Sequence, residues 1–133
     1  MKKSIFYLII VLPTIILNSC NLNDPKPSHL NIQGKWQLES FRGAWTGGDY
    51  APGTGPILIF KKKTYQEFKG DTLVRGGSYQ LVKAHRTLVD REGDRLDLDK
   101  GVFGGMFVSL YEDKLILSPD MYDAPSYSYK KIE

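Results

Sequence analysis

From Leu30 onward no stretch of this chain sustains a 3.6-residue apolar period; short apolar segments alternate instead with Gly, Pro, Asp and Lys turns. That pattern belongs to an all-β domain. Gly34 to Phe41 reads as the first strand, with Trp36 and Leu38 inward and Gln37 and Glu39 outward. Pro56 to Phe60 is apolar on both faces, as in a central strand or one covered on its outer side. Thr64 to Lys69 follows the turn Lys61-Lys62-Lys63. Asp71 to Val82 is long enough to bend, with Gly76-Gly77 expected at a bulge or barrel corner and Tyr79 and Leu81 on one face. Leu96 and Leu98 alternate with Asp97 and Asp99 after an expected turn at Arg91-Glu92-Gly93-Asp94. Met106 to Tyr111 and Lys114 to Ser118 form a hairpin across Glu112-Asp113, and Tyr127 to Ile132 closes the series. A sequential meander of about eight such strands removes its edges by closing on itself. The expected fold is therefore a small antiparallel up-and-down β-barrel over residues 30–133.

The N-terminus says where the chain works. Lys2 and Lys3 precede an apolar run from Ile5 to Leu17, which Pro13 interrupts. The run is shorter than the ~20 residues a spanning helix needs, and with its basic start it reads as a secretory signal over residues 1–19. Leu17-Asn18-Ser19-Cys20 resembles a bacterial lipobox, Asn18 being the departure from its usual small residue. Cys20 is the only cysteine, and the resemblance makes it the lipidated first residue of the mature chain. One acyl chain anchors only marginally, whereas two or three hold a protein to the bilayer lastingly. With Cys20 acylated no disulfide can form, so the domain relies on its core. Residues 20–29 are polar, carry Pro25 and Pro27, and read as a flexible tether. The sequence has 18 basic and 15 acidic residues, and two of the basic ones leave with the signal. The near-neutral remainder carries no basic cluster suited to nucleic acid.

The opening Ile32-Gln33-Gly34-Lys35-Trp36-Gln37-Leu38 carries the Gly-x-Trp signature of the lipocalins in Gly34 and Trp36. With Phe60-Lys61-Lys62-Lys63-Thr64-Tyr65 and Gly77-Ser78-Tyr79, the chain resembles the lipocalin-like lipoproteins common in Bacteroidetes. The resemblance covers roughly residues 20–133. It implies a barrel with Trp36 in the core of its closed end, covered by a cation from the last strand. Lipocalins use an Arg there; this chain offers Lys130 or Lys131, since no Arg follows Arg95. A lysine stacks less well than a planar guanidinium, so a looser clasp is expected.

Chemistry-bearing patterns are sparse. His29 and His85 stand apart, and Asp90-Arg91-Glu92-Gly93-Asp94 fails the spacing of a calcium loop. No Gly-x-Ser-x-Gly elbow occurs, and Arg75-Gly76-Gly77-Ser78 is a strand bend, not a phosphate cradle before a helix. We expect no enzyme, metal or cofactor.

Gly43 to Pro56 is the unusual segment, a long Gly-rich connection where a short hairpin turn would serve. In lipocalins the corresponding loop partly lids the barrel mouth. Its aromatic residues Trp45 and Tyr50, joined by Tyr122, are the candidate ligand or partner contacts; Met121, Tyr127 and Tyr129 are expected on the same surface, since the last strand neighbours the first in a closed barrel, and folding back of Trp45 and Tyr50 as a hydrophobic plug is the competing role. Trp36, Phe60, Tyr79 and Phe107 are the bulky residues expected inside the barrel. The sequence reading is a monomeric, non-catalytic envelope protein, held by lipid on Cys20 in the outer membrane and facing the periplasm. It would bind a small, largely apolar ligand in the barrel mouth, or else present the 43–56 loop to an envelope protein as an assembly factor or inhibitor.

Overall fold

A computed structural model describes residues 25–101 and 104–133; the signal segment and Cys20 lie outside them. Nine strands follow in order: β1 (Gly34–Arg42), β2 (Gly47–Asp49), β3 (Ile57–Phe60), β4 (Thr64–Lys69), β5 (Thr72–Arg86), β6 (Arg91–Leu98), β7 (Gly105–Tyr111), β8 (Lys114–Pro119) and β9 (Ser126–Lys131). From β3 to β9 each strand pairs antiparallel with the next, and β1 lies between β3 and β9. β1 and β3–β9 thus close an eight-stranded, up-and-down, lipocalin-like barrel. β2 pairs with Ser40, Phe41 and Arg42 of β1, beyond the register that β3 occupies at Gly34–Gln37. Part of the long 43–56 connection is therefore an extension of the barrel wall.

Alternation decides what fills the interior. Trp36 and Leu38 of β1 meet Leu58, Phe60, Tyr65, Leu96, Leu98, Val108, Leu115, Leu117 and Tyr129 in one core. Trp36 is 1% exposed, and its indole donates a 2.8 Å hydrogen bond to the Ile32 carbonyl. Ile32 is itself fully buried, so the segment entering β1 seals this end of the barrel. The Lys131 ammonium lies 5.6 Å from the Trp36 ring centroid, which supplies the covering cation from the last strand. Lys61, Lys62 and Lys63 form an exposed turn between β3 and β4, as read. The β7–β8 hairpin also has the expected two-residue loop, with Glu112 at a left-handed φ of 46°.

Several local readings change. The stretch Arg91–Asp94 is not a turn but the first half of β6; the chain reverses at Thr87–Val89, with Asp90 left-handed at φ 47°. The charges there are tolerated because each has a use in the hairpin: Asp94 faces Lys83 in register and pairs with its ammonium at 2.8 Å. Accordingly β5 runs to Arg86. The β4–β5 register shifts between Glu67↔Arg75 and Phe68↔Leu73, so the extra residue is Val74 and not Gly76 or Gly77. Asp97, read as the outward polar partner of Leu96, is only 5% exposed, and the Arg95 guanidinium holds both its oxygens at 2.8 and 2.9 Å.

Phe107 points outward. Its neighbours Met106 and Val108 belong to the core face, and Phe107 is nevertheless 6% exposed. The tip of the β5–β6 hairpin covers it: the Arg86 guanidinium lies 5.4 Å from its ring centroid, and Gly93 packs flat against the ring. Asp120, after β8, fastens this tip by accepting the backbone N–H groups of Thr87 at 2.6 Å and Leu88 at 3.2 Å. Within the expected tether, Lys26–Ser28 run antiparallel to β5. The Lys26 carbonyl accepts from Lys83 N–H at 2.7 Å, Ser28 N–H donates to Leu81 at 3.0 Å, and Pro27 bridges to Val82.

Candidate functional site

The barrel is not completely filled. A cavity of about 260 Å³ lies among Leu58, Leu96, Leu98, Met106 and Leu117, with Glu67, Arg75, Tyr127 and Tyr129 on its polar side. Two neighbouring strands supply the charges. Tyr65 points inward on β4, so Glu67, two residues on, faces the same way. Arg75 is its partner in register on β5, and the guanidinium binds the Glu67 carboxylate at 2.9 and 3.2 Å. It also lies 5.7 Å from the Tyr65 ring centroid. Both charged side chains are partly exposed, so the pair lies towards the open end and not at the sealed one.

Tyr65 is held in place by Asp99. Its phenol donates at 2.8 Å to Asp99, whose other carboxylate oxygen accepts from Ser78 N–H at 3.0 Å. Burial, then the Asp99 hydrogen bond, push the Tyr65 phenol up to about 12. Burial, then the Glu67 charge, raise the Tyr129 phenol well above its ordinary value. Both phenols are therefore neutral hydroxyls at physiological pH. What the cavity offers is an apolar wall facing a hydrogen-bonding, charge-paired wall. Such a lining has apolar and polar surface to offer the two parts of an amphiphile. Among the described residues no group of three or more His, Cys, Asp or Glu could hold a metal ion.

The three aromatic residues singled out from the sequence separate in space. Tyr50 is 37% exposed and leans on Phe41 (ring centroids 6.5 Å), which stacks on Tyr127 of the cavity wall at 6.4 Å. Tyr50 thus connects to the cavity through an aromatic chain. Trp45 is 88% exposed, at the tip of the β1–β2 hairpin that Gly43 N–H closes onto Thr46 at 2.7 Å. It is not a plug. Tyr122 is 86% exposed and lines an open outer groove with Ala44, Leu88 and Met121, away from the cavity residues. Gly34 and Trp36 stand at the sealed end, and Cys20 falls outside the described residues.

Glu67, Arg75 and Asp99 are site residues that the sequence reading passed over, whereas Tyr127 and Tyr129 were expected to join the candidate surface and do line the cavity. The alternation through Tyr65 was a sufficient signal for Glu67, and cross-strand pairing then brings in Arg75. Asp99 had no such signal, because it reaches the site from a turn.

Fold and site together define a class: a small closed barrel with one sealed end, one open end and an amphipathic internal cavity. No family model, curated protein or solved structure matches the chain.

Proposed function

We propose that this protein is a lipid-anchored, non-catalytic, lipocalin-like protein of the bacterial envelope, which takes a small and largely apolar ligand into its barrel mouth. The observation that carries the reading is the cavity, with Leu58, Leu96, Leu98, Met106 and Leu117 opposite the Glu67–Arg75 pair. Its volume of about 260 Å³ is near the lower end of ligand sites, roughly 300 Å³, so the ligand is a short-chain molecule and not a long lipid. Its apolar body lies on the leucines, and a hydroxyl, amide or carboxyl head meets Arg75 and Tyr129. The lipobox-like Leu17–Cys20 supports attachment to the outer membrane, facing the periplasm.

Mass spectrometry of molecules released from the purified protein tests this, together with titration of octanoate and octanamide. Met106→Trp fills the cavity and should weaken binding at least tenfold, about 1.4 kcal/mol, with the fold retained. No co-purified molecule and no saturable binding of either probe would refute the carrier reading.

The exposure of Trp45 favours a second reading, a protein-interaction module. In that case Trp45→Ala abolishes retention of an envelope partner, and Met106→Trp leaves it intact.

A further inference from the structure

The tether is shorter than its composition suggests. A chain free from Cys20 to Leu30 would let the barrel turn in any direction above the bilayer. Backbone hydrogen bonds from Lys26 and Ser28 to β5 instead fix the chain next to the sealed end. The six links from Cys20 to Lys26 span at most about 20 Å, whatever their conformation. Pro27, Ser28 and Ile32 share one groove there with Lys62 and Lys63 of the β3–β4 turn. Any lipid on Cys20 therefore lies within about 20 Å of Lys26, which is fixed at this end.

The charge of that end matches a lipid surface. Lys26, Lys61, Lys62 and Lys63 are exposed, and among the described residues no salt bridge is formed by any of them. Of the acids near this end, Asp94 pairs with Lys83 and Glu133 with Lys35, whereas Glu92, Glu112 and Asp113 form no salt bridge among the described residues. Glu112 and Asp113 lie in the β7–β8 turn, beside Lys114 and the strand end Lys130–Lys131. The opposite end carries Tyr122 and the cavity mouth. β8 separates the two ends by six residues, about 20 Å at strand rise.

We propose that the sealed end, through Lys26, Lys61, Lys62 and Lys63, rests on the anionic phospholipid headgroups of the bilayer that holds Cys20, so that the mouth opens away from the membrane. This rests on the lipid-anchor reading. Lysines at such a surface gain from its negative potential within about a Debye length. The mouth is then free to exchange ligand with the aqueous side.

Because Cys20 is the only cysteine, an introduced thiol can be labelled alone in the acylated protein. Thr64→Cys marks the lysine turn and Tyr122→Cys marks the opposite end of the barrel. Each labelled, full-length processed protein is reconstituted into phosphatidylglycerol-containing vesicles that carry a headgroup acceptor dye. Energy transfer should be strong from position 64 and weak from 122. The difference should shrink in wholly zwitterionic vesicles, at high salt, and in Lys61→Glu/Lys62→Glu/Lys63→Glu. Equal transfer from both positions, or a difference indifferent to lipid charge and salt, overturns the orientation while leaving the anchor intact. A mass showing no diacylglyceryl group on Cys20 overturns both.

Discussion

The Tyr65 phenol and the Asp99 carboxylate meet at 2.8 Å, although 34 residues separate them in the chain. They meet because Gly77 has no side chain: a Cβ there would overlap the Asp99 carboxylate. The turn after β6 thereby reaches the β4–β5 wall and stiffens the strands that carry Glu67 and Arg75.

Gly77→Ala should therefore displace Asp99 and cost about 1–3 kcal/mol, the usual range for overpacking. Tyr65→Phe keeps the ring and loses the bond, so about 0.5–1.5 kcal/mol is expected. Urea unfolding of both variants is the measurement. A wild-type midpoint for Gly77→Ala would mean that Asp99 is not held where the structure has it.

Trp36 is both apolar core and hydrogen-bond donor to Ile32. Trp36→Ala should cost about 3–5 kcal/mol, as large aromatic truncations in cores do. Thermal unfolding followed by circular dichroism checks it, and an unchanged melting temperature would place Trp36 outside the core.

Asp94 links stability to pH. Burial by itself would raise its carboxyl, but hydrogen bonds from Lys83 and Ser28, helped by the charges of Lys83 and His29, hold it below its ordinary value. A lowered folded-state pKa means stabilisation that is present above the unfolded value near 3.9 and lost as pH falls through the folded one. Acidification should thus loosen the Ser28 contact and lower stability. Asp94→Asn should flatten that acid limb in denaturant titrations from pH 5 downward. An acid limb identical to wild type would assign the dependence to other carboxylates.

Trp45 and Tyr122 are surface groups, so Trp45→Ala with Tyr122→Ala should leave stability within about 0.5 kcal/mol of wild type. The chain has two tryptophans. Acrylamide should quench Trp45 efficiently, and the emission left in the double variant, from buried Trp36, should be shielded. Strong quenching of that residual emission would contradict the sealed end.

Reading the strands from sequence succeeded where one face is core and the other solvent. Trp36 and Leu38 against Gln37 and Glu39 is such a case, and so is the hairpin at Glu112-Asp113. It failed where the outer face is also covered. Phe107 alternates out of the core and is still buried, because the β5–β6 tip folds over it. Asp97 is buried on that same face by Arg95. Neither cover can be read from the local pattern, which reports only that a side chain is apolar or charged, not what lies above it.

Local chemistry therefore determined the all-β character, the order of the strands, the identity of Trp36 as core and the lysine turn, since each depends on neighbours within a few residues. Tertiary structure alone decided the rest: the approach of Asp99 through Gly77, the separation of Tyr50 from Trp45 and Tyr122, and the docking of Lys26–Ser28 on β5. The Asp99 and Lys26–Ser28 contacts join segments far apart in the chain. Their positions follow from barrel closure and strand stagger, and no spacing within a single segment encodes those.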